Sequence, residues 1–71
     1  MSSLDLLLNG EPCTLPPGST IADLVAAFTG DPGRPGIAVA VDRAVVPRSE
    51  WGSTPALAGS QVEVVSAAAG G

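Results

Sequence analysis

The last five residues, Ala67-Ala68-Ala69-Gly70-Gly71, stand apart from the rest of this 71-residue chain because none carries a side chain larger than a methyl group. Such a segment has nothing to bury, and the one reactive group it offers is a terminal carboxylate. A carboxylate is a poor electrophile until it is activated. Activation as an acyl-adenylate requires access to one carbonyl carbon, first by ATP and then by a nucleophile, and side chains nearby obstruct both. Gly70 and Gly71 lack Cβ, so the backbone can thread a narrow channel and rotate at the reacting carbon. The functional reading makes Gly71 the reacting end and Gly70 its slender approach. The competing reading is a frayed terminus of no consequence, and for Gly-Gly taken alone it leads.

Other residue types narrow the chemistry. The chain has no histidine and no lysine, which removes the usual zinc ligand sets, a phosphate-loop lysine and any lysine nucleophile. No metal or cofactor site is expected, and any ATP must be bound by an activating partner. Cys13 is the sole cysteine, so no intramolecular disulfide framework can form, and without a histidine partner a buried, inert thiol is favoured over a reactive one. Trp51 reads as a core cover more than a binding hot spot, and Arg48 as a solvated neighbour of Glu50. The net charge of -4 repels the phosphate backbone of nucleic acid. The N-terminus lacks a basic, apolar leader pattern, and no apolar run approaches the roughly 20 residues that span a bilayer, so a soluble, cytoplasmic protein is expected.

The elements that position the tail follow from periodicity. Leu4, Leu6 and Leu8 alternate with Asp5, Leu7 and Asn9 as a strand, with Leu7 on the opposite face. Asn9-Gly10 predicts a type I′ turn into a returning strand over Glu11 to Leu15, ended by Pro16-Pro17-Gly18. Thr20 and Asp23 form a capping box for a helix whose apolar stripe is Ile21, Leu24, Val25 and Phe28, with Gly30 as its C-terminal cap. The stretch from Asp31 to Gly36 is a loop. Ile37 to Val41 reads as a central strand covered on both faces, followed by a polar turn at Asp42-Arg43 and a short strand from Ala44 to Val46 that Pro47 stops. One helical turn is predicted over Arg48 to Trp51 in an otherwise irregular segment to residue 60, before a last strand from Gln61 to Ser66. This order predicts an α+β domain over residues 1–66, a β-grasp with a mixed sheet of about five strands and one helix across one face, plus a flexible tail over 67–71. A right-handed crossover allows the first and last strands to lie parallel in the middle of the sheet.

A β-grasp domain ending in Gly-Gly resembles ubiquitin and the prokaryotic sulfur carriers. The segment from Gly36 to Trp51, with Val46-Pro47-Arg48 and Trp51 three residues after the arginine, is similar to the thiamin sulfur carrier family (ThiS). The resemblance runs from Leu6-Leu7-Leu8-Asn9-Gly10 to the last residue. It implies a carrier acted on by other enzymes, with Gly71 adenylated by an activating enzyme. A persulfide from a cysteine desulfurase or rhodanese-type donor then converts it to a thiocarboxylate, and thiazole synthase takes the sulfur. Rival readings are a carrier for molybdopterin or another pathway, and a non-catalytic β-grasp interaction module. An independent enzyme is the weakest reading, since no catalytic constellation is present.

Overall fold

The computed structural model describes residues 3–31 and 35–66. Leu4–Leu8 (β1) and Glu11–Leu15 (β2) form an antiparallel hairpin in which Leu8 faces Glu11 across the turn. Asn9 and Gly10 sit at φ 52° and 83°, the left-handed pair that a type I′ turn needs. The helix α1, Ile21–Thr29, starts at the expected cap: the Thr20 hydroxyl accepts from the Asp23 N–H at 3.2 Å, and the Asp23 carboxylate accepts from the Thr20 N–H at 2.9 Å. Gly30 ends it at φ 76°, donating to the Ala26 carbonyl.

Ile37–Val41 (β3) and Ala44–Val46 (β4) make a second hairpin, and Gln61–Ser66 (β5) closes the sheet. The strand order is β2-β1-β5-β3-β4, with β1 and β5 parallel and the other pairs antiparallel. This is the β-grasp arrangement read from the sequence. As expected, the first and last strands, β1 and β5, lie parallel in the middle of the sheet, and β3 is an interior strand beside β5. The departure is that β3 is not covered on both faces: Val39 is buried, whereas Ala38 is exposed and Ala40 half-buried. A short β-branched run marks a strand but does not tell how many of its faces are covered.

The core gathers Leu6, Leu15, Ile21, Leu24, Val25, Val39, Trp51, Ala56, Val62 and Val64 between α1 and one face of the sheet. Leu8 and Ile37 pack against it half-buried. Phe28 is a correction, being 49% exposed. It lies on the apolar stripe by angle, but in the last turn of the helix, and burial stops one turn short. The segment between β4 and β5 is more ordered than expected. A 3-10 helix spans Arg48–Ser53 and packs against α1, and the Thr54 carbonyl accepts the first helical N–H, from Ile21, at 2.8 Å.

Candidate functional site

Gly70 and Gly71, with Ala67 to Ala69, lie outside the described residues, and the elements of the fold that lead to them define where they start. The nearest is β5. Its inward residues Val62 and Val64 are buried, and its outward residues Glu63 and Val65 are exposed, so alternation anchors one face of the strand in the core and displays the other. β5 is flanked by β1 through Leu7↔Gln61 and Leu8↔Val62, and by β3 along its whole length, from Val41↔Val62 to Ile37↔Ser66. The strand that precedes the Gly-Gly end is therefore the innermost of the sheet.

The sheet face opposite α1 is open. A shallow concavity of about 150 Å³ is lined there by Ala38, Val39, Ala40, Val45, Glu63 and Val65. Val45 is 76% exposed and Val65 58%, so two β-branched residues on neighbouring parts of one face present their side chains to solvent. Leu7, expected on this face, is exposed as well. Around the concavity the face is apolar apart from Glu63, while towards β1 and β2 it carries Gln61, Asp5 and Thr14 beside Leu7.

Two turn residues reach further than their turns. The Asn9 side chain spans to Val64: its Oδ1 accepts from the Val64 N–H at 2.9 Å and its Nδ2 donates to the Val64 carbonyl at 3.1 Å. On the other flank Asp42, at φ 49°, donates its N–H to the Gln61 carbonyl at 2.7 Å and accepts the Gln61 N–H on Oδ1 at 2.9 Å. From the sequence, both are legible only as turn formers. The type of residue was a signal, since Asn and Asp combine tolerance of positive φ with a hydrogen-bonding side chain, but their partners are remote in the chain.

The Val46-Pro47-Arg48 and Trp51 group is a structural unit. The Trp51 indole is buried and its Nε1–H donates to the Val46 carbonyl at 2.9 Å, as the packing reading requires. Arg48 is not merely a solvated neighbour of Glu50: its guanidinium lies over the Trp51 ring, 4.7 Å from the centroid. In a 3-10 helix residues three apart eclipse each other, and that spacing brings the two side chains together. Cys13 is half-buried against the core, less enclosed than expected, and opposite Leu6 in the hairpin. Asp23 is committed to the helix cap. Among the described residues, no group of three or more metal-ligating side chains occurs, and no helix is long and apolar enough to cross a membrane.

Comparison with known proteins agrees with this architecture. The ThiS family model matches residues 6–71, which includes both terminal glycines. Among solved structures, the crystal structure of a thiamine biosynthesis protein (ThiS) from Geobacter metallireducens superposes with a TM-score of 0.75 at 23% identity, covering 96% of this chain and 100% of that one. At that identity the likeness speaks for the fold. No curated protein matches the chain.

Proposed function

Since this chain belongs to the ThiS family, we propose that it is a sulfur carrier of thiamin biosynthesis whose C-terminal Gly71 is adenylated and converted to a thiocarboxylate, the sulfur then going to the thiazole ring. The observation that carries this reading is the extent of the family match, which continues through Gly70 and Gly71. In the reaction the Gly71 carboxylate attacks the α-phosphate of ATP and pyrophosphate leaves. The terminal sulfur of a persulfide donor attacks the acyl carbon and expels AMP. A thiol then cleaves the sulfur–sulfur bond, leaving the thiocarboxylate. The chain supplies the acyl group alone; with neither histidine nor lysine, it depends on the activating enzyme to bind ATP and on a cysteine desulfurase or rhodanese-type protein to supply sulfur.

The open sheet face is the docking surface for the activating enzyme in this reading. Its patch around Val45 and Val65 is apolar and exposed, and Val65 stands two residues before the tail begins, so a partner seated there lies beside the start of the segment it must accept. Thiazole synthase uses the same end of the molecule, because it must reach the same acyl carbon.

Deleting Gly71 tests the proposal. Incubated with the activating enzyme, ATP and a persulfide donor, the full chain gains the mass of one sulfur in place of one oxygen, and the shortened chain does not. Misplacement of a reacting group by about 1 Å can cost a factor of 100, and one residue spans about 3.3 to 3.6 Å. Unfolding of the two proteins should coincide, because the core is assembled from residues 6 to 64. Normal thiocarboxylate formation without Gly71 would remove the basis for the assignment.

A further inference from the structure

We infer that Asn9 is a positioning residue for the reacting end: its side-chain amide acts as a rung of the sheet and sets the direction in which β5 leaves the domain. The inference rests on the proposed role of Gly71. Backbone groups of a strand point alternately to its two neighbours. Val62 faces β1, since its carbonyl accepts the Asn9 N–H at 2.8 Å, and Val64 therefore faces the same way. By that point the main chain of β1 has turned away: the parallel ladder ends at Leu8↔Val62, and the chain reverses at Asn9-Gly10. The Val64 N–H and carbonyl would be left facing an empty rung within a residue that is only 3% exposed. The Asn9 amide fills it, donating to one and accepting from the other, as a backbone peptide would.

The turn position limits which residues can do this. At φ 52° glycine, asparagine and aspartate are the favoured occupants. Glycine has no side chain to reach Val64, and an ionised aspartate can accept but cannot donate. Only asparagine satisfies both groups while accepting the backbone. The end of β5 is thereby held on both sides, by β3 through the ladder to Ser66 and by Asn9 through Val64. Releasing the Asn9 side leaves the Val64–Ser66 end of the strand held by β3 alone, so the point from which the chain leaves the sheet is less sharply fixed.

Two variants, Asn9→Gly and Asn9→Asp, separate this role from that of a turn former, because both keep the turn. Hydrogen exchange of the Val64 amide by NMR reads the clamp directly. In Asn9→Gly its protection should drop about tenfold or more relative to Glu63 and Val65, the equivalent of losing one buried hydrogen bond. Asn9→Asp, which keeps the acceptor, should fall between Asn9→Gly and the parent. The Trp51 indole N–H resonance, whose partner Val46 is remote from the hairpin, reports that the domain remains folded. Steady-state adenylation by the activating enzyme should lose about tenfold in kcat for Asn9→Gly with KM nearly unchanged, since the docking face is intact while the reacting carbon is misplaced. Unchanged Val64 exchange in Asn9→Gly would overturn the clamp. Lost protection with unchanged kcat would overturn the positioning role and leave the carrier function standing. Failure of the parent protein to be adenylated would overturn the carrier reading and the positioning role with it, while exchange would still decide the clamp.

Discussion

Arg43 occupies the second position of the β3–β4 turn at φ 74°, a conformation that L side chains adopt at a cost of roughly 1–2 kcal/mol. The equivalent position of the first hairpin is Gly10, at φ 83°, where that cost is absent. Replacing Arg43 by glycine should relieve the strain and give back part of it as entropy of the unfolded chain. A net gain of about 0.5–1 kcal/mol is expected, visible as a higher midpoint in urea with an unchanged slope. A loss of stability would mean that the arginine side chain holds the turn by contacts that outweigh its backbone. At the same scale, the Val46-Pro47-Arg48 and Trp51 pattern is explained as packing: an indole inserted under the end of β4, hydrogen-bonded to it, and covered by a guanidinium. Together they form a lid on the core, and the three-residue spacing of Arg48 and Trp51 is what stacks one on the other.

Among the elements, α1 departs most from its periodicity. Ile21, Leu24 and Val25 are buried, and Phe28, equally central on the stripe, is half exposed. Truncation should reveal the difference. Leu24→Ala should cost about 2–5 kcal/mol through lost transfer energy and the cavity it leaves. Phe28→Ala, which in a core would cost about 3–5 kcal/mol, should cost less than half of that. Thermal unfolding of the two variants checks the order; a Phe28 cost equal to that of Leu24 would place the aromatic ring inside the core. The strands divide similarly: β5 buries Val62 and Val64, whereas β3 buries only Val39 and gives Ala38 and Ala40 to the open face. Small residues there leave the concavity that Val45 and Val65 border.

For the molecule as a whole, helix and open face perform separate tasks, one closing the core and the other remaining available. If the open face seats the activating enzyme, Val65→Asp should raise the KM for adenylation about tenfold, the effect of losing an apolar contact in an interface centre, with kcat and thermal unfolding little altered. An unchanged KM would move the docking surface elsewhere. The pathway is tested in cells: a host lacking its thiamin carrier should regain growth without thiazole when given this protein, whereas a host lacking its molybdopterin carrier should not recover. The reverse pattern would reassign the pathway and spare the fold.

The sequence alone determined what depends on neighbours in the chain. Hairpin turns, the capping box, strand alternation and the element order rest on local sterics and on periods of two or 3.6 residues, and the Gly-Gly end and the Val46 to Trp51 pattern can be read without a fold. The tertiary structure decided what depends on partners brought from far away. The Asn9 amide meets Val64 across 55 residues of chain, β3 is covered on one face only, and burial along α1 ends before Phe28. Periodicity specifies the angle of a side chain about its element. It does not specify how far the opposing layer extends or which backbone group lies unpaired opposite a turn, because both are set only when strands distant in sequence have come together.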